Sequence, residues 1–93
     1  MQTSQNENNG GPPPMKWERF VKMMNDMGFT HDDSPPGSAV RFDPPESSGV
    51  RSITFHQPHP NPTIPPDMLK KFAKQLHEYY GWPEDILLEY FEA

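Results

Sequence analysis

Three groups of side chains in this sequence have types and spacings that could do chemistry. The first is the pair His56-Gln57-Pro58-His59, set in a proline-rich run. Imidazoles suit general acid–base work near neutral pH, so His56 and His59 are the candidates for any proton transfer. As metal ligands they are incomplete, because two histidines three apart lack the third and fourth ligands of a zinc site. Nothing in the sequence order brings His31 or His77 to them, and no metal or other cofactor is expected. The second group is Lys70-Lys71-Phe72-Ala73-Lys74. On a helix, lysines at this spacing share an outer face and suit phosphate oxygens. Arg41 and Arg51 extend that basic patch if they reach the same sheet edge. The third is the run from Pro83 to Phe91, which is amphipathic and acidic. It either docks on a basic or apolar partner surface or folds back to complete the chain's own small core, and so short a chain favours the second.

The elements that must carry these groups can be read from periodicity. Trp17, Phe20, Val21, Met24 and Met27 make an i, i+3, i+4, i+7 stripe, which predicts a helix over Met15 to Met27. Gly28 and Phe29 then supply the glycine and following hydrophobe of a Schellman stop. Phe29 to Asp33 is short and polar, suited at most to a brief edge strand. Ser38 to Asp43 and Arg51 to His56 both alternate, with Val40 and Phe42, and Ile53 and Phe55, on one face. That places Ala39, Arg41 and His56 on the other face. The link Pro44 to Gly49 is long enough for an antiparallel hairpin. His56 to Pro66 carries five prolines and must be an extended connector. Asp67 then opens a helical stripe of Met68, Leu69, Phe72, Ala73, Leu76 and Tyr80, ended by Gly81-Trp82. Pro83 opens a last short helix with Ile86, Leu87, Tyr90 and Phe91 as its apolar face. The expected architecture is α+β, an antiparallel sheet covered on one face by two helices, plus the short C-terminal helix.

Composition narrows the classes. The chain has 93 residues, no cysteine, thirteen prolines and 32% hydrophobic residues. It allows one small domain, with no disulfide framework and no cysteine-based zinc site. No apolar run approaches the length of a membrane span. Residues 1–14 are Gln, Asn, Ser, Gly and Pro rich and read as a disordered tail or linker, leaving 15–93 as the domain. The linker-like lead favours the end of a larger protein. Net charge is −5, which argues against wholesale wrapping in nucleic acid. That excess is terminal, however, in Glu7, Glu84, Asp85, Glu89 and Glu92. The stretch from Met15 to Pro83 has eight acidic and eight basic residues and is neutral.

The motifs together resemble the HicA family of small RNA-cleaving toxins. The resemblance rests on Gly28-Phe29 closing the first helix and on Gly37-Ser38 opening a strand. It continues in Ser52-Ile53-Thr54-Phe55 leading to a proline and His59, and in Ile64 with Leu69 five residues on. It covers Met15 to Trp82. The runs Gly37-Ser38-Ala39 and Phe55-His56-Gln57-Pro58-His59-Pro60 resemble the HicA-like segments at the ends of larger fungal proteins. The resemblance implies the α-β-β-β-α fold of double-stranded-RNA-binding domains, an intracellular (cytoplasmic or nuclear) setting and a relation to toxin–antitoxin systems. It also implies phosphate contacts for Lys70, Lys71 and Lys74, which are similar to the Lys-Lys-x-Ala-Lys segment of those domains.

One departure weighs against cleavage. The family's catalytic histidine directly follows the Gly-Ser, and here that residue is Ala39, which can neither give nor take a proton. The leading expectation is therefore a degenerate HicA-like domain, a pseudo-enzyme. It binds structured RNA through Lys70, Lys71 and Lys74, with Arg41 and Arg51 beside them. Two alternatives stand next to it. One is a protein-interaction module using the acidic C-terminal helix. The other is a ribonuclease in which His56 or His59, displaced from the usual position, does the acid–base work.

Overall fold

The computed structural model describes residues 12–92. The described chain holds eight regular elements besides one 3-10 turn at Glu46–Ser48. In order they are β1 (Met15–Lys16), α1 (Trp17–Asp26), β2 (Thr30–Asp32), β3 (Ala39–Asp43), β4 (Ile53–His56), β5 (Thr63–Ile64), α2 (Pro66–Tyr80) and α3 (Glu84–Glu92). The class is α+β, and the order α1-β2-β3-β4-α2 is the helix, three strands, helix of the expected fold, with α3 after it. The two-residue strands β1 and β5 pair as a separate ladder. The stretch expected to be a tail falls mainly on residues outside the described ones. Of its described part, the Pro12 side chain is fully buried.

Two compact units divide the described residues, one of residues 16–63 and one of residues 12–15 with 64–92. In the first, β2, β3 and β4 form an antiparallel sheet with β3 at its centre. The register pairs His31 with Phe42 and Asp32 with Arg41 across β2 and β3. Across β3 and β4 it pairs Ala39 with His56, Val40 with Phe55, Arg41 with Thr54 and Phe42 with Ile53. Strand side chains alternate, so this register gathers Val40, Phe42, Ile53 and Phe55 on one face, all buried. Helix α1 lays Trp17, Phe20 and Met24 on that face. Phe20 stands edge-on to Phe55 at 5.2 Å and to Phe42 at 5.8 Å, and Trp17 lies 6.0 Å from Phe42. Edge-to-face rings at these separations attract beyond the area they bury.

The end of α1 follows from its sequence. Gly28 N–H donates to the Asn25 carbonyl at 2.9 Å and Phe29 N–H to the Met24 carbonyl at 3.0 Å. Those two bonds make a Schellman motif, which requires a left-handed residue at Gly28, and its φ is +98°. A Cβ there would meet Pro45 Cγ at 3.0 Å. Gly28→Ala is expected to destabilise the chain by about 1–2 kcal/mol, from the left-handed conformation and this contact. A lower denaturant midpoint with unchanged slope would show it.

Helix α1 is shorter than the stripe suggested. Met15 and Lys16 are extended, and Trp17 N–H donates to the Pro62 carbonyl at 2.8 Å instead of waiting for a helical partner. The connector expected from His56 to Pro66 likewise contains β5. In the other unit, Pro66 takes the first position of α2, where a missing N–H costs nothing, and Asp67 lies in the first turn. Leu69, Phe72, Ala73 and Leu76 form its buried stripe, and Gly81, at φ +76°, ends it with an N–H bond to His77. Helix α3 packs against α2 and starts with the Leu87 N–H donating to the Pro83 carbonyl. Its expected apolar face divides. Leu87 and Phe91, four apart, are buried, whereas Ile86 and Tyr90 point to solvent at 44% and 61% exposure.

Candidate nucleic-acid interface

The basic cluster sits on α2 opposite that helix's buried stripe. At about 100° per residue, Lys70, Lys71 and Lys74 fall within an arc of about 100° centred away from Leu69, Phe72, Ala73 and Leu76. All three lysines are exposed. Among the described residues none of them has an ion-pair partner. They lie in the second and third turns, past the reach of the helix dipole, so their own charges carry any attraction for anions. Asp67 and Glu78 are exposed on the same arc, which leaves its net charge at only one positive unit.

His77 completes the stripe. It follows Lys70 by seven residues and Lys74 by three, so it continues the same line toward the C-terminal end of α2. Its Nδ1 lies 2.9 Å from the Trp82 carbonyl oxygen, which can only accept, so Nδ1 carries the proton. In the sequence His77 figured only as a remote metal ligand. The signal that could have found it is its i+7 spacing from Lys70.

The solvent face of the three-stranded sheet holds the remaining sites. Arg41 is paired with carboxylates on this face. Its guanidinium meets Asp32 Oδ2 at 2.9 Å and Asp43 Oδ1 at 2.9 Å. Asp43 in turn accepts from Ser52 Oγ at 2.5 Å, and Asp32 from the hydroxyl and backbone N–H of Ser34. The Asp43 bonds, foremost, and the charge of Asp32 hold the guanidinium above its ordinary range. The Ser52 hydroxyl, then Arg41, holds the Asp43 carboxyl below its ordinary value. The Ser34 bonds, then Arg41, do the same for Asp32. Arg41, expected beside the phosphate-binding lysines, thus stands between two carboxylates within the sheet unit. Arg51 lies just before β4 and is exposed. It belongs to the sheet unit, whereas the three lysines belong to the other.

Depressed carboxyl groups bind fewer protons in the folded chain than in the unfolded one. Their contribution is complete above the ordinary carboxylate range, about pH 4, and is lost as pH falls through their lowered folded values. Urea midpoints are thus expected to fall below about pH 4. Asp43→Asn should flatten part of that decline, as urea titrations of the two proteins at several pH values would measure.

His56 faces Ala39 across the β3–β4 ladder. Its Nδ1 lies 3.2 Å from Ser38 Oγ, and the backbone joins the same two strands where Gln57 N–H donates to the Ser38 carbonyl at 2.9 Å. Gly37, at φ +73°, turns the chain so that Ser38 and Ala39 enter β3 in this register. His59 is exposed on the connector and makes no hydrogen bond among the described residues. His31 lies at the edge of the aromatic cluster, its ring 6.4 Å from that of Phe42. No group of three His, Asp or Glu side chains placed to hold a metal ion occurs among the described residues. No helix there is long and apolar enough to cross a membrane.

The described chain is a small α+β domain with Ser38 and the histidine-bearing strand β4 side by side on the exposed sheet face. The family model described as the HicA toxin of bacterial toxin–antitoxin matches residues 17–77. The chain belongs to the HicA toxin family. No curated protein and no solved structure matches it.

Proposed function

We propose that this HicA-family chain binds structured RNA without cleaving it, through Lys70, Lys71 and Lys74 of α2. The observation that carries this reading is three exposed lysines on one face of α2, with no ion-pair partner among the described residues. Duplex RNA is recognised largely through phosphates and 2′-hydroxyls, which such a stripe can reach without reading sequence. The non-catalytic part rests on Ala39. It stands directly after Gly37-Ser38, where the family carries its catalytic histidine, and it has no group for proton transfer. Three phosphate contacts imply a slope of log affinity against log salt of about −2 to −3, or roughly a 16- to 64-fold loss between 50 and 200 mM salt. Titration of a labelled RNA duplex at those two concentrations tests it. Absence of binding at 50 mM salt removes the proposal.

A second reading is supported by the Ala39–His56 register. His56 lies across the ladder from the vacant position, and Ser38 orients its ring, so His56 could act as the displaced base of a ribonuclease. Attack by a 2′-hydroxyl also needs proton delivery to the leaving 5′-oxygen, and of the described histidines only His56 is in register with Ala39. Incubation with structured RNA, comparing wild type with His56→Ala, separates the two readings. Cleavage that disappears in the variant favours the ribonuclease. The exposed Ile86 and Tyr90, flanked by the α3 carboxylates, support the third reading, a protein-docking helix. Retention of a partner that is lost with Ile86→Ser and Tyr90→Ser distinguishes it.

A further inference from the structure

We propose that His77 reads the ribose 2′-hydroxyl and so makes the α2 stripe selective for RNA over nucleic acid lacking that group. This rests on the lysine stripe being the RNA-binding surface. The His77 Nδ1–H donates to the Trp82 carbonyl oxygen, with Nδ1 and oxygen 2.9 Å apart, so the tautomer is fixed. In the neutral ring, Nε2 then has a lone pair and no proton, and it can only accept. Nε2 lies on the far side of the ring from Trp82, the residue is exposed, and no other partner for it occurs among the described residues.

The neighbours determine what this acceptor can meet. Lys70 and Lys74 lie two turns and one turn before it on the same line, and their ammonium groups donate only. A backbone phosphate satisfies the lysines but offers an acceptor a further anion, which it repels. The group of a nucleic-acid backbone that both lies beside phosphates and donates a hydrogen bond is the 2′-hydroxyl. Two donors followed by one acceptor along a helix line thus match phosphate, phosphate and ribose hydroxyl, and DNA fills only the first two. A third lysine at 77 would bind RNA and DNA alike. The acceptor is what distinguishes them.

The bond to Trp82 gives the ring a fixed direction. It closes from the last turn of α2 onto the residue after Gly81, so the imidazole is held by backbone rather than by a mobile side chain. A bound hydroxyl therefore meets an acceptor already oriented, and less freedom is lost on binding.

The test uses the full chain at pH 8 and three duplexes of one sequence: RNA, 2′-fluoro RNA and DNA. The 2′-fluoro duplex keeps the A-form but has no hydroxyl donor. Wild type is expected to bind RNA about three- to tenfold more tightly than the 2′-fluoro duplex, the effect of one or two neutral hydrogen bonds. His77→Phe keeps the ring and removes both nitrogens. It should bring the two affinities together while leaving binding to the 2′-fluoro duplex within twofold of wild type. An unchanged RNA preference in His77→Phe overturns the inference. So does an equal weakening on all three duplexes, which would make His77 a structural or purely electrostatic residue. The thermal midpoint of His77→Phe, measured alongside, shows whether the variant is folded, and His77→Gln, which retains an acceptor, should recover part of the preference. If Lys70→Glu with Lys74→Glu leaves every affinity unchanged, it is the underlying lysine surface that has failed.

Discussion

Lys70→Glu combined with Lys74→Glu is expected to abolish duplex RNA binding, lowering affinity by about 100-fold or more at 50 mM salt. Each reversal removes a phosphate contact and installs a repelling carboxylate at the same place. Asp67 and Glu78 already lie on that arc, so the double variant turns it from one net positive charge to three net negative charges. Electrophoretic mobility shift or fluorescence anisotropy would read the loss, and the residual salt dependence should approach zero. Both lysines are exposed and neither has a partner to lose among the described residues. Stability should therefore stay within about 0.5 kcal/mol of wild type. That separation distinguishes a lost surface from a lost fold. If RNA binding persists in the double variant, the interface lies elsewhere on the chain.

The arc could be located from the sequence because α2 is a helix of strong period. Its apolar residues at 69, 72, 73 and 76 leave the lysines one place to go. The end of α1 was legible for a similar reason: Gly28 followed by Phe29 after an apolar stripe has few other solutions, and both bonds of the motif form. The pairing of Ala39 with His56 was legible only as a consequence of alternation, which assigns faces but not partners. The surroundings of Arg41 were not legible because they depend on register. Asp43 lies two residues away on its own strand, but Asp32 comes opposite only once β2 pairs with β3. An arginine on an open sheet face looks alike in sequence whether or not a carboxylate stands across from it. The apolar face of α3 failed differently. Ile86, Leu87, Tyr90 and Phe91 form two adjacent i, i+4 pairs, and hydrophobicity does not say which pair turns inward. Only packing against α2 does, and it selects Leu87 with Phe91. The β1–β5 ladder had no signal at all, since two-residue strands are too short to show a period.

Phe20→Ala should have the largest effect on folding of any single change in the sheet unit. The ring is fully buried and meets Trp17 at 5.6 Å, Phe42 at 5.8 Å and Phe55 at 5.2 Å. It stands edge-on to Phe42 of β3 and Phe55 of β4, so its removal weakens the join between helix and sheet as well as taking away a packed volume. Phenylalanine to alanine at such a site costs about 3–5 kcal/mol. Folded domains have only about 5–15 kcal/mol in total, and a chain this short stands at the lower end. The expected result is loss of a cooperative thermal transition, or a midpoint lowered by more than about 12 °C, since each kcal/mol moves it by about 4–8 °C at this size. Circular dichroism on heating would register it. Val50→Ser supplies the contrast: Val50 is 46% exposed and its loss should shift the midpoint by no more than about 4 °C. The comparison also bears on the proposed function. His56 and Ser38 are held on the open sheet face only while Val40, Phe42, Ile53 and Phe55 are pressed against α1 on the other, because a one-residue slip would exchange the two faces. A Phe20→Ala chain that unfolds as sharply as wild type would mean that the aromatic cluster does not set this register.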